Sequence, residues 1–307
     1  MSALDDLLAA RAVARAGKDF AESDRLRDEI AALGWVVRDT ADGQVVSEKP
    51  PYEVLAGVSA LPDRAAEPDS PGSVATLLVE GWPEDLRTCV AALLEHGPAD
   101  LRVVLVENGQ TDAGAVVHEL AADPRVEEVH LDRAGGWAEV RNALVRSRTE
   151  AAHVVMDVST VLTGDALTPL VAALGPAAGS AAGLVSAAGW RGVHVVDGWT
   201  DFEDVPAGAD PVEVEALLSY LLVVRRQAAL EVPLPPKARF YRNADMEWSF
   251  LLREAGHRLV AVDVPARQDR HRGYHDSDPA YRDKESRKTY DRFLQRFRGR
   301  EELRLPR

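Results

Sequence analysis

Between Ser73 and Asp157 the chain alternates short apolar runs with stretches of helical spacing, and few architectures accept that pattern. Val74 to Val79, Leu101 to Val106, Val126 to Leu131 and His153 to Met156 read as buried strands. Between them, Glu84 to Glu95 places Leu86, Val90, Leu93 and Leu94 at helical intervals. Ala113 to Ala122 and Trp137 to Arg148 read as further helices. This alternation implies an α/β fold: a doubly wound, mostly parallel sheet with helices on both faces. Three strands run into an acid, at Glu80, Glu107 and Asp157. Open α/β sheets bind ligands at the carboxyl ends of their strands, so these acids are expected to converge. Asp157 closes the run HVVMD and is followed by Val158, Ser159 and Thr160. A metal-bound diphosphate would want a second oxygen ligand two residues on. Ser159, neutral and a weaker ligand, stands there.

The flanks read differently. In the first 46 residues Leu4, Leu7 and Leu8 begin an apolar stripe, and Asp19 with Glu22 forms a capping pattern for a second helix. Gly34 stops that helix, and Asp42-Gly43 between apolar residues signals a hairpin. Residues 47–72 carry Pro50, Pro51, Pro62, Pro68 and Pro71 among acids and small residues, and read as a linker or as an extended segment lying on a neighbour. Residues 73–265 form the α/β domain. From Ala266 to Arg307 there are 13 Lys+Arg against 8 Asp+Glu, on a chain whose net charge is −14. This basic helical extension either closes over an anionic ligand or docks on an acidic face. Tyr290, Phe293, Leu294 and Phe297 give it an amphipathic helix.

The acidic balance argues against nucleic acid as a partner. The single cysteine, Cys89, excludes a disulfide framework and a cysteine zinc site, and fits a reducing cytosol. No apolar run is long enough to span a membrane, and the N-terminus lacks a signal-peptide pattern, so a cytoplasmic location is expected. The richness in alanine, valine and arginine suggests a high-GC bacterial source.

Several stretches carry resemblances. ARAGKDFAESDRLRDEIAALGWVVRDTADG is similar to the C-terminal end of cysteinyl-tRNA synthetases and of their mycothiol-pathway ligase relatives. HIGH-type and KMSKS-type signatures are absent, so the resemblance implies a borrowed packing or interaction module. TLLVEGWPEDLRTCVAALLE, VVLVENGQTDAG, RAGGWAEVRNALVRSRTEAAHVVMDVST and NADMEWSFLLREAGHRL, in that order, resemble glycosyltransferase family 2, inverting enzymes of the GT-A fold, over about 73–265. Glu107, Ser159 and Ala244 depart from that family's pattern.

The resemblance implies a site. Asp157 would anchor a divalent metal, Mn or Mg, and the donor diphosphate, since hard cations take carboxylate oxygens. Ser159 and His271 are the further metal candidates, with His275 behind them. Arg270 or Arg272 would alternatively meet phosphate directly. Glu80, Glu107, Asn108 and Arg141 would hold the nucleotide, with Gly135-Gly136 permitting close backbone approach. Asp245 falls on the family's catalytic base and Glu247 on a supporting acid, and the alternative reading of Asp245, the less favoured, is a helix N-cap. Trp190, Trp199 and Tyr220 fall where acceptor loops would lie, and read equally as core or lid residues. The implied activity moves a sugar from a nucleotide-diphosphate sugar to an acceptor hydroxyl. The acceptor is left open among a small metabolite, a protein and a lipid-linked sugar, the last requiring peripheral membrane docking. The competing reading is a non-catalytic nucleotide-sugar-binding or scaffold protein on a degenerate GT-A fold.

Overall fold

A computed structural model describes residues 2–40, 43–175 and 184–306, with the side chain of Asp197 left aside. The chain divides into two compact units, Met1–Glu53 and Val54–Arg307.

In the first unit, helices α1 (Ala3–Ala16) and α2 (Phe20–Ala32) precede a hairpin of β1 (Trp35–Thr40) and β2 (Gly43–Glu48). Ser2 and Asp19 cap the helices through their side chains, and Gly34 adopts the left-handed backbone that ends α2 (φ 84°). Asp42 of the expected turn lies outside the described residues. Arg11, buried in α1, ties the helices to the hairpin by a bidentate contact with Asp39 at 2.8 Å.

The second unit begins with β3 (Val54–Leu55), β4 (Ser70–Val79), α3 (Pro83–His96), β5 (Arg102–Asn108), α4 (Gly114–Leu120), β6 (Val126–Leu131), α5 (Trp137–Ser147) and β7 (Glu150–Met156). Then follow β8 (Val161–Leu162), α6 (Leu167–Ala173), β9 (Val185–Gly189), β10 (Gly192–Val196), β11 (Asp201–Val205), β12 (Val212–Glu213), β13 (Ala216–Leu217) and β14 (Leu221–Arg225). The chain closes with α7 (Arg226–Glu231), α8 (Ala244–Glu254), β15 (Arg258–Ala261), β16 (Ala266–Arg267), α9 (Arg272–His275) and α10 (Pro279–Phe297). Among the described residues the main sheet has the order β12-β15-β9-β14-β7-β4-β5-β6-β3. β3, β6, β5, β4 and β7 run parallel, and β14 and β12 run antiparallel to their neighbours.

The alternating apolar runs explain this. Leu77, Val103, Leu105 and Val154 pack with α3 residues on one face, while Val74, Val104, Val106 and Val155 pack with α5 and α8 residues on the other. Strands covered on both faces lose the polar-apolar alternation of a half-exposed sheet.

The segments at the two domain edges fold as part of the second unit. Residues 54–72 are part of the second unit: Val54-Leu55 extends the sheet beside β6, and the buried Arg226 guanidinium holds the carbonyls of Arg64 and Glu67 and the Asp69 carboxylate. The C-terminal stretch likewise belongs to this unit. Phe293 and Phe297 of α10 are fully buried against Phe250 of α8, with Trp199 beside them. Burying each phenylalanine contributes roughly 2–3 kcal/mol. Its arginines meet acids on α8, Arg292 at Glu247 and Arg296 at Glu254. The docked reading of the basic tail is the one observed, and Trp199 is a core residue.

Candidate active site

Parallel register brings the strand ends together. Val79 pairs with Glu107, Glu107 pairs with His130, and Leu77 pairs with Met156, so Glu80, Glu107 and Asp157 emerge at one sheet edge. Their fates differ. Glu107 is 2% exposed: one oxygen meets His130 Nδ1 at 2.6 Å, and the other accepts from the Thr111 N–H at 2.5 Å. Burial raises its pKa, but the contacts with His130 and Thr111 outweigh burial and hold the carboxyl below its usual range. Its oxygens serve the protein, so the expectation that it faces a nucleotide is corrected. Asn108 clamps the loop before α5, donating to the Gly135 carbonyl at 3.0 Å and accepting from its N–H at 2.8 Å. Asn108 also donates to Glu80 at 3.3 Å, and Glu80 opens into a cavity of about 240 Å3 walled by Trp82, Gly136, Arg239 and Tyr241.

Arg141 does not reach that cavity. Its guanidinium is buried, donating to the carbonyls of Thr76 and Met156 at 3.2 and 3.1 Å. Burial pulls its pKa down to about 10, against the opposing pull of Asp157 and Glu80. It is a positive charge beneath the two acids that braces β4 against β7. The start of α5 is closed as well. Trp137 N–H donates to the Arg239 carbonyl at 3.1 Å and Ala138 N–H to the Ala238 carbonyl at 3.0 Å. At Gly135 an added Cβ would lie 2.7 Å from Val140 and 2.8 Å from Val58, so this glycine serves internal packing.

Asp157 remains the open carboxylate. Its Oδ1 accepts from the Ser159 N–H at 2.8 Å and from Gln268 at 3.4 Å, and its Oδ2 lies 3.5 Å from His271 Nε2. His271 stacks on Tyr241 (4.4 Å between centroids, 11° between planes) and meets the Tyr220 ring edge-on. Burial pulls the pKa of this imidazole down, although Asp157 favours its charged form. The Tyr274 N–H donates to Nδ1 at 3.3 Å, which by hydrogen-bond assignment leaves the ring proton on Nε2. Ser159 Oγ accepts from the Arg272 N–H at 3.1 Å, anchoring the segment that carries His271.

A carboxylate oxygen and an imidazole nitrogen this close fit two positions on a divalent cation. Phosphate oxygens and water commonly complete such sites. The imidazole would then offer Nε2, and a proton on Nδ1 would require the Tyr274 N–H to release Nδ1 and keep only the His271 carbonyl, which it meets at 3.1 Å. Among the described residues no group of three His, Cys, Asp or Glu side chains forms a fuller metal site. Arg270 and Arg272 are paired with Asp276 and Asp85. That corrects the expectation of a free phosphate-binding guanidinium on this segment.

Asp245 and Glu247 separate. Asp245 sits one residue inside α8, whose N-cap is Asn243, so the N-cap reading does not hold. Its Oδ2 accepts from Ser219 N–H and Oγ at 3.0 and 3.1 Å, and its Oδ1 from Met246 N–H at 2.9 Å. Burial nonetheless pushes its carboxyl above the usual range. Asp245 lines a cavity of about 340 Å3 together with Tyr220, Tyr241, Arg242, His271 and His275. Glu247 points elsewhere and holds Arg292 of α10 in a bidentate pair at 3.1 and 2.6 Å. It positions α8 and does not line the cavity.

Sequence reasoning passed over Trp82, Arg239, Tyr241, Arg242, Gln268 and Tyr274. The run Arg239-Phe240-Tyr241-Arg242, two cations around two aromatics just before α8, was the available signal.

Residues 78–196 match the family model for Glycosyl transferase family 2, and residues 2–46 match that for the cysteinyl-tRNA ligase anticodon binding domain. The cysteine–tRNA ligase of Nitratidesulfovibrio vulgaris is 62% identical over 42 residues, which are 14% of this chain and 9% of that protein. The enzyme of Porphyromonas gingivalis is 56% identical over 41 residues, 13% of this chain and 8% of that one. Among solved structures, GalNAc-T7 with UDP, GalNAc and Mn2+ superposes with a TM-score of 0.58 at 14% identity, covering 73% of this chain and 48% of that one. The mannosyltransferase PcManGT of Pyrobaculum calidifontis, with GDP-Man and Mn2+, gives 0.50 at 17% identity, covering 74% and 63%. The chain thus spans under a tenth of those two ligases and about half to two thirds of the two structures. The second unit has the GT-A fold and a segment at 78–196 that matches the glycosyl transferase family 2 model, and the first has a segment at 2–46 that matches the cysteinyl-tRNA ligase anticodon binding domain model.

Proposed function

We propose that the second unit is an inverting glycosyltransferase that takes a nucleotide-diphosphate sugar and delivers the sugar to an acceptor hydroxyl. One observation carries this reading: Asp245, with its raised pKa, and His271, which abuts Asp157, open into the same cavity. A base and a diphosphate anchor are the two ends such a reaction needs. The ligands named for the two structural neighbours, UDP with GalNAc and GDP-Man, each with Mn2+, support the donor class and a divalent cation.

In this reading Glu80 faces the nucleoside, and Asp157 with His271 holds the diphosphate end. The acceptor oxygen bonds to the anomeric carbon from the face opposite the leaving group. The bond from that carbon to the diphosphate oxygen breaks, its electron pair leaves with the diphosphate, and the acceptor proton passes to Asp245. A bound cation would supply charge neutralisation to the leaving diphosphate. A carboxylate walled in by protein is a stronger base than one in water. The first unit serves as a packing or interaction module.

Asp245→Asn tests this. Transfer is expected to fall by about 10^3, in line with loss of a general base, while nucleotide binding stays within about twofold. In the wild type, transfer is expected to rise with pH through a midpoint above the ordinary aspartate value of about 3.9, because the base must be deprotonated. Full transfer by the variant would sink the assignment. The second reading, a non-catalytic nucleotide-sugar-binding protein, draws on the commitment of Ser159 Oγ to Arg272 and of Glu107 to His130. It expects nucleotide binding by the wild type without transfer.

A further inference from the structure

We propose that the acceptor carries an anionic group, a phosphate or a carboxylate, and that Arg242 receives it. This rests on the transferase reading of the cavity that Asp245 and His271 share. Four arginines of the C-terminal segment are neutralised. Arg270 pairs with Asp276, Arg272 with Asp85, Arg282 with Asp283 and Arg292 with Glu247. Arg242 lines the cavity, is exposed to it, and among the described residues has no carboxylate within ion-pair distance.

The guanidinium is also held in place. It lies over the Tyr274 ring at 4.7 Å and donates through one terminal nitrogen to the Tyr274 hydroxyl at 2.6 Å. Tyr274 is fixed in turn by Arg282, which lies 4.5 Å from the same ring and donates to the Tyr274 carbonyl. Between Arg242 and α8, Asn243 takes a left-handed backbone (φ 67°) and is secured by its side-chain bond to the Ser286 carbonyl at 3.1 Å. A guanidinium carries five N–H donors in a planar fork, and one bond to Tyr274 leaves the others free for two oxygens of an anion. His275 and Asn243 line the same wall and add polar groups. Asp245 lines the same cavity as Arg242, so an anion seated on Arg242 brings a neighbouring hydroxyl into the space the base faces while its charge is met.

The test uses the full chain and three probes with one three-carbon skeleton: glycerol, glycerate and glycerol 3-phosphate. Calorimetric or ligand-observed NMR titration is expected to show at least one anionic probe binding tenfold or more tightly than glycerol. Arg242→Gln is expected to bring that probe within threefold of glycerol. Arg242→Lys should keep part of the gain, because an ammonium supplies charge without the fork. The tighter of the two anions tells phosphate from carboxylate. Equal or undetectable binding of all three probes, or anion binding that survives Arg242→Gln, overturns the proposal. Titration of the same protein with UDP and GDP reads the transferase assignment separately. If nucleotides fail while the anion still binds through Arg242, the transferase reading falls and the anion site stands.

Discussion

Glu107 and Asp157 occupy matching places, each at the carboxyl edge of a parallel strand and each beside a histidine, yet they do opposite things. The Glu107 pair is sealed. His130 sits between Glu107 at 2.6 Å and Glu128 at 2.9 Å, both His130 and Glu107 are nearly inaccessible, and Thr111 takes the remaining oxygen. The Asp157 pair is loose. Its histidine stands 3.5 Å away and faces a cavity. Position at a strand end selects candidates for a ligand site. Access from a cavity decides which candidate is used, because a carboxylate sealed inside the protein has no face left for a ligand.

The largest separation between the two pairs is expected in catalysis. Asp157→Asn removes the charge at the diphosphate end and should lower transfer by about 10^3, an effect of the size seen when one transition-state electrostatic partner is lost, with little change in unfolding free energy. Transfer within tenfold of wild type would erase the distinction drawn for Asp157.

Stability should show the reverse. His130→Gln breaks a buried ion pair, and chemical denaturation is expected to report a loss of about 3 kcal/mol. Its pH dependence has a defined sign. Burial lowers the His130 pKa, but Glu107 and Glu128 outweigh it and raise the value overall. The charged histidine therefore stabilises the fold fully below the unfolded histidine value of about 6.5, and that contribution is lost as pH rises through the higher folded value. Glu107 and Glu128 are both held low, so their contribution is full above about 4.3 and is lost as pH falls through their folded values. Wild type and His130→Gln should differ most near pH 5–6. A difference independent of pH would show that packing, not charge, holds this pair.

A smaller effect probes the departure at position 159. Ser159→Ala leaves the Arg272 N–H without its acceptor, which costs about 1 kcal/mol. Transfer should change by less than about tenfold if the hydroxyl only anchors the His271 segment. A loss near 10^3 would make Ser159 a ligand after all.

Much of this was legible beforehand. The strand-helix alternation gave the sheet, and the acid closing HVVMD and the acids opening the NADMEWSF helix marked Asp157 and Asp245, on which the proposed site is built. What failed depended on partners distant in sequence. Glu107 is sealed because strand register sets it opposite His130, 23 residues on, and one sequence carries no register. Arg141 was expected near phosphate, but the strand carbonyls it braces become neighbours only in the finished sheet. Trp199 and Tyr220 were indistinguishable in sequence. The first is core beside Phe250 and the second lines the cavity, a division set by how α10 docks.

The central claim is that these strand ends form a sugar-nucleotide site, and calorimetric titration of the wild-type chain with UDP and GDP, with and without Mn2+, tests it most directly. Saturable binding of at least one nucleotide, strengthened tenfold or more by the cation, is the predicted result. Absence of binding by either nucleotide, with the cation present, would contradict the account.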